Sequence, residues 1–199
     1  MSGNVLSLVI YLSFKTLAGG ENQIWTLVSD QSAAFLGWRS QGVFTVPIGP
    51  SFSQPVAQNV QVTALNASTA TIAATGFDEN GAADIKDIYL LVNSALSTTS
   101  ACYLLYRSTT QQVFLLNDAG NNWQGVGVRG SSTILENSQC RIDLALATES
   151  TTQDARTIGY RVEFKPAFNG ARSTYLYVED ASKLVSGWKF ISTFSLPFP

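Results

Sequence analysis

The sequence predicts an all-β sandwich preceded by a three-strand partial copy of its own last third. Short apolar runs alternate with a period of two, turn-forming residues interrupt them about every 8 to 12 positions, and no stretch sustains a 3.6-residue apolar period with good caps. The third observation is an internal repeat. A gapless shift of 150 positions lays residues 14–47 on residues 164–197 with ten identities in 34 positions: Phe14/Phe164, Lys15/Lys165, Gly20/Gly170, Val28/Val178, Asp30/Asp180, Ser32/Ser182, Gly37/Gly187, Trp38/Trp188, Phe44/Phe194 and Pro47/Pro197. Trp25 falls on Tyr175, Arg39 on Lys189 and Ile10 on Tyr160, so several differences keep the physical character of the site. Solenoid units are about 20 to 50 residues long, so a period this large belongs to whole domains. The expected organisation is a partial repeat over 1–47 and a complete repeat over 48–199, joined by a stiff stretch at 48–55 that contains Pro50, Pro55, Gly49, Ser51 and Ser53.

Taken in order, Leu8, Ile10, Leu12 and Phe14 alternate with Val9, Tyr11 and Ser13, which reads as a strand. The segment lacks the charged leader of a signal peptide and matches residues 158–164 inside the chain. Strands follow at about 23–28 and 42–46, the last stopping at Pro47, which cannot donate to a ladder. In the complete repeat, strands are expected over 56–65, 69–75, 84–93, 101–107 and 112–117. The Gly-rich segment 118–130 reads as a loop carrying Trp123, residues 131–135 as a short strand, 139–147 as a better one, and 148–155 as a polar loop. The second copy of the three-strand piece closes the chain.

Composition narrows function. Charged residues form 13% of the chain and the net charge is −2, so no basic surface invites nucleic acid or anionic lipid. No apolar run approaches the roughly 20 residues of a membrane helix, and no membrane insertion is expected. The absence of histidine removes the usual general base and the commonest zinc ligand. No Gly-x-Ser-x-Gly elbow occurs, and the carboxylates cannot be placed in pairs from sequence, so no catalytic set emerges and no enzyme is expected.

Cys102 and Cys140 border strand-like runs and read as a disulfide, the alternative being two buried thiols. With low charge and abundant Ser, Thr and Asn, a bridge points to an extracellular setting. Asn66 opens an Asn-Ala-Ser sequon in a turn and is a glycosylation candidate. No cofactor is required, but Asp78, Asn80 and Asp84, with Asp87 nearby, offer oxygen ligands around Gly81. The plainer reading is a polar turn in which Gly81 supplies a positive φ; calcium is the sharper one. Asp30 and Asp180 share a repeat position and are expected to accept local backbone N–H groups. Trp38 and Trp188, with Phe14, Phe44, Phe164 and Phe194, are expected to be repeat-equivalent core residues. Trp123, among Asn and Gly, is either a folded-back plug or a contact for a sugar or partner surface.

The motifs D-E-N-G-A-A-D-I at 78–85, A-C-Y at 101–103, L-L-N-D-A-G at 115–120, N-S-Q-C at 137–140 and S-G-W at 186–188 together resemble the immunoglobulin-like repeat domains of large secreted and surface proteins of bacteria. The resemblance spans roughly residues 56–197. It implies an immunoglobulin-like sandwich with an extracellular, structural or adhesive role. The partial repeat adds an expectation of its own: three strands with an open apolar face look for cover from a neighbouring copy, giving a homo-oligomeric filament assembled head to tail. The rival expectation is an adhesin or carbohydrate-binding module contacting a glycan or surface ligand through Trp123.

Overall fold

The computed structural model describes residues 8–12, 20–35, 37–46 and 53–199. The chain divides into two compact units, Met1–Ser51 and Phe52–Pro199.

The first unit contains an antiparallel hairpin of β1 (Gly20–Thr26) and β2 (Arg39–Val46). The second contains β3 (Val56–Ala64), β4 (Thr69–Phe77), β5 (Ile85–Asn93), β6 (Cys102–Arg107), β7 (Gln112–Leu116), β8 (Trp123–Val128), β9 (Ile134–Glu136), β10 (Cys140–Asp143), β11 (Thr148–Thr151), β12 (Ala155–Phe164), β13 (Gly170–Asp180) and β14 (Lys189–Leu196). Two short 3-10 turns, Leu144–Leu146 and Pro166–Phe168, are the helical content of the described residues. One sheet runs β3-β4-β12-β10-β9, with β11 also on β12, and the other runs β14-β13-β5-β6-β7-β8. Every pairing is antiparallel. The chain is therefore all-β, and the second unit is a two-sheet sandwich.

Inward-facing residues of both sheets make one core, including Ile72, Ile88, Leu90, Leu104, Leu115, Ile142, Ile158, Tyr160, Val162, Leu176 and Val178. The alternation read from sequence fits this geometry, since each pleated strand offers every second side chain to the opposite sheet. The disulfide joins Cys102, at the start of β6, to Cys140, at the start of β10, and so ties the two sheets together. Buried Asn137 holds the same corner. Its amide donates to the carbonyls of Ala101 (2.9 Å) and Leu116 (3.1 Å), and its Oδ1 accepts from the N–H groups of Gln139 (2.9 Å) and Cys140 (3.0 Å). Four backbone groups at the mouth of the bridge are thereby satisfied by one side chain, which gives the N-S-Q-C segment a physical reason.

Three expectations are corrected. The Gly-rich segment read as a loop contains strand β8, and the two glycines inside that strand mark close approach instead of turns. A Cβ on Gly127 would lie 2.7 Å from Leu144 Cδ1 and 2.8 Å from Thr133 Cγ2, and one on Gly125 would lie 3.1 Å from Leu135 Cδ2. The polar loop at 148–155 contains strand β11, an edge strand paired with β12 alone, whose side chains are mostly exposed. Residues 8–12, expected to be a strand, lie in no ladder among the described residues. Their repeat counterparts belong to β12, which is flanked by β4, β10 and β11, and the first unit shows no equivalent of these among its described residues. The rest of that expected strand, with Phe14, lies outside the described residues, as does 48–52 of the expected linker. Ser53 and Pro55 already belong to the second unit: Pro55 is buried, and Ser53 donates its N–H (3.2 Å) and hydroxyl (2.8 Å) to Asn80 Oδ1.

Candidate functional site

The first candidate is the hairpin of the first unit, because it reproduces β13–β14 position by position. Gly20 pairs with Val46 as Gly170 pairs with Leu196, and Thr26 with Arg39 as Leu176 with Lys189. A bulge falls between Ile24 and Trp25 and, 150 residues on, between Thr174 and Tyr175. Beyond the ladder, the isolated bridge Ser29–Phe35 repeats as Glu179–Val185. Positive φ recurs at Gly20 and Gly170 (101° and 109°), at Ala33 and Lys183 (63° and 68°), and at Gly37 and Gly187 (74° and 67°). The turn between the strands is pinned in both copies by the expected aspartate. Asp30 Oδ1 accepts from the N–H groups of Ser32 (2.8 Å) and Ala34 (3.0 Å), and Asp180 Oδ1 accepts from that of Leu184 (2.8 Å). The Ser32 hydroxyl and the Ala34 amide hold the Asp30 carboxyl below the usual carboxylate range.

What differs is the surroundings. In the second unit, β5 covers the free edge of β13, from Ser173↔Asn93 to Asp180↔Ile85. Among the described residues, no strand pairs with the corresponding edge of β1. Val178 is fully buried, whereas Val28 is 62% exposed. Ile158, Tyr160 and Val162 are core residues, whereas Leu8, Ile10 and Leu12 are 77%, 63% and 67% exposed. Leu8, Ile10, Leu12, Ile24 and Phe44 line an open apolar trough of about 550 Å³, on positions equivalent to core-facing ones of the second unit.

The second candidate is acidic. One carboxylate oxygen from each of Asp78, Asp84 and Asp180 lies within 4.8 Å of one from both others. The 78–84 loop forms as the polar-turn reading expects: Asp78 Oδ1 accepts from the Asn80 N–H (2.8 Å), Gly81 N–H donates to Asp78 O (2.9 Å), and Gly81 has φ 106°. Burial, with Asp84 and Asp180 alongside, raises the Asp78 carboxyl above its usual value. The structure thus brings together Asp78 and Asp84, keeps Asn80 on the same turn and bonds it to Ser53, and adds Asp180. Asp87 goes elsewhere. Its two oxygens accept from Arg107 Nε (3.1 Å) and Nη2 (3.2 Å). Sequence reasoning singled out Asp180 for its turn alone; that its turn closes over the 78–84 loop is a tertiary fact.

The third candidate is a band of aromatic rings outside the core, on the sheet that contains β5, β6 and β13. Trp123 lies 5.1 Å from the Tyr103 ring and 6.2 Å from Phe114, Trp188 lies 5.6 Å from Tyr103 and 5.4 Å from Tyr177, and Tyr89 lies 5.3 Å from Tyr177. Buried Leu91, Ala101, Tyr103 and Leu116 form a small second cluster beneath Tyr89, Trp123 and Tyr175. A bulge at Leu115/Leu116 sets Gly125 opposite core-facing Leu115, and Trp123 opposite outward-facing Leu116. Trp123 is therefore half-buried against other rings. The expectation that both repeat tryptophans are core residues is corrected: Trp188 lies in this outer band and is 36% exposed, and Trp38 is 68% exposed. Each follows a positive-φ glycine that turns the chain into the last strand, and in the second unit the Trp188 ring leaves on the side of Tyr103 and Tyr177, away from the core. Of the other repeat-equivalent residues, Phe164 is buried, Phe194 is partly buried on the core, and Phe44 is half-buried.

Asn66 sits in the exposed turn between β3 and β4, where its Oδ1 accepts from the N–H groups of Ser68 (3.0 Å) and Thr69 (2.9 Å). No helix among the described residues is long and apolar enough to cross a membrane. No family model, curated protein or solved structure matches the chain.

Proposed function

We propose that the chain is a non-enzymatic building block of an extracellular filament or surface appendage, in which a neighbouring copy covers the open hairpin of the first unit. The observation that carries this reading is the residue-by-residue equivalence of β1–β2 with β13–β14, one hairpin with its edge paired to β5 and the other with its edge unpaired among the described residues. An uncovered β-edge beside apolar side chains is a template for another strand. Each copy carries the strands from β3 to β12 once and the closing hairpin twice, so full exchange of strands between copies would only move the vacancy. Edge addition has no such limit. The edge strands of the second unit, β3, β9, β11, β8 and β14, are the available partners, and a contact between two different surfaces repeats indefinitely. The disulfide and the low charge support an oxidising, extracellular setting, and the immunoglobulin-like resemblance supports a structural role.

Sedimentation and negative-stain imaging test the reading. Mass is expected to grow with concentration, elongated particles to appear, and the pair Ile24→Lys with Val28→Lys to return monomers whose second unit unfolds as before. A monodisperse monomer at all concentrations, with the amides of 20–46 protected from exchange, overturns it.

The aromatic band favours a second reading, an adhesin or carbohydrate-binding module, because rings such as Trp123, Tyr177 and Trp188 offer flat faces to a sugar. Binding on a glycan array that is lost in Trp123→Ala, with thermal stability retained, would select it.

A further inference from the structure

We propose that Asp78, Asp84 and Asp180 form a calcium site that clamps the β4–β5 loop to the β13–β14 turn. Asp78 follows β4, Asp84 precedes β5 and Asp180 ends β13, so the three carboxylates come from both sheets of the sandwich. The backbone already brings the loop and the turn together: Ala181 N–H donates to Asp84 O (2.9 Å).

Proximity of acids alone would not argue for an ion. The second observation is two orphaned oxygens. Asp78 is fully buried and Asp180 is 1% exposed, yet each uses only Oδ1 in hydrogen bonds, and Oδ2 of each is buried with no hydrogen-bond partner. Among the described residues, no Lys or Arg forms a salt bridge with any of the three. A buried carboxylate oxygen without a donor is costly, and two of them beside a third carboxylate add repulsion to desolvation. A divalent cation removes both penalties.

The donor set selects calcium over other ions. All three ligands are hard carboxylates, with no thiol or imidazole, which excludes a site tuned to zinc or copper. Ligands about 2.3 to 2.6 Å from a calcium ion can stand as much as roughly 5 Å apart across it, and the oxygens fall inside that span. Magnesium asks for a tighter octahedron and keeps more of its water. Asp84 is only half-buried, leaving a side open for entry and for completing waters. Asp30 makes the same turn as Asp180 in the first unit but is exposed and belongs to no such cluster among the described residues, so it serves as an internal control.

The test is calorimetric titration of the chelator-treated full chain with calcium chloride, then with magnesium chloride, paired with thermal unfolding in each salt. One calcium per chain is expected, with a rise of several degrees in the Tm of the second unit that a chelator reverses and that magnesium matches poorly. Asp84→Asn, the half-exposed member, is expected to fold and to weaken binding by about tenfold or more. Asp30→Asn is expected to bind as the parent does. No binding heat and no shift of Tm in millimolar calcium chloride overturns the site. So does a cluster relieved by a shared proton, visible as a metal-free rise in Tm on mild acidification with no further gain from calcium. Equal binding by the parent and Asp84→Asn also overturns it.

Discussion

The two hairpins β1–β2 and β13–β14 have the same ladder, the same bulge, the same pinned turn and positive φ at the matched glycines, yet one is embedded in a core and the other, among the described residues, is not. The comparison separates two things that fold together in most proteins. Local geometry is carried by about 27 residues and needs nothing from the rest of a domain. Burial depends on the strands that come to lie on the free edge and across the apolar face. Packing energy should therefore differ between the copies, while backbone conformational energy should be the same.

The largest difference is expected at the matched pair Ile158 and Leu8. Ile158 is fully buried in β12, and Ile158→Ala is expected to lower the unfolding free energy of the second unit by about 2–5 kcal/mol, measured by urea denaturation. Leu8→Ala, at a position 77% exposed, is expected to change the stability of dispersed chains by no more than about 0.5 kcal/mol. A large effect of Leu8→Ala confined to concentrated samples would show that assembly covers the trough.

The bridge between Cys102 and Cys140, 38 residues apart, has no counterpart in residues 1–51, where there is no cysteine. Its reduction is expected to cost the second unit about 2–4 kcal/mol and to leave the signals of the β1–β2 hairpin unchanged. Amide exchange with and without reductant checks both halves of the statement.

Gly37 and Gly187 sharpen the comparison from the other side. Both have positive φ, 74° and 67°, and a Cβ added at either would meet nothing within 4 Å. Alanine there pays no steric penalty of packing, so the cost is conformational, about 1–2 kcal/mol in each copy. Gly187→Ala should lower the unfolding free energy of the second unit by that amount, measured by urea denaturation. Gly37→Ala should reduce amide protection in 20–46 by the matching factor of about 5 to 30.

The fold was legible in the sequence wherever period-two alternation was intact, as at Ile88, Leu90 and Val92, and the hairpin equivalence was legible because a 150-residue shift needs no structure to find. Strand β8 was not, because Gly125 and Gly127 carry the signature of a loop, and only the position of Leu135, Leu144 and Thr133 reveals that they are strand residues without room for a side chain. The outward direction of Trp188 was equally hidden: a large ring after a glycine says that it will pack, but not on which face. The acidic cluster was half legible. Asp78 and Asp84 share a loop, whereas Asp180 reaches them only through the register of β13 on β5.

An effect confined to alkaline pH, and absent at neutral pH, comes from the tyrosines of the outer band. Burial, followed by Asp87 and Glu179 nearby, pushes the Tyr89 phenol up to about 12, and burial raises Tyr103 further in the same direction. A phenol whose folded pKa exceeds its unfolded value of about 10 loses its proton first in the unfolded chain. Its contribution to stability is complete below pH ~10 and is lost as pH rises through ~12, so the denaturation midpoint of the second unit should fall across that window. The partial repeat at 1–47 has no position matching Tyr89 or Tyr103, and protection of the β1–β2 amides should lack this alkaline component. Ultraviolet absorbance of phenolate followed alongside circular dichroism distinguishes the cases. If the two tyrosines ionise near pH 10 with the fold intact, the outer band is wetter than its ring contacts imply, and that face is open to a ligand in the unassembled chain.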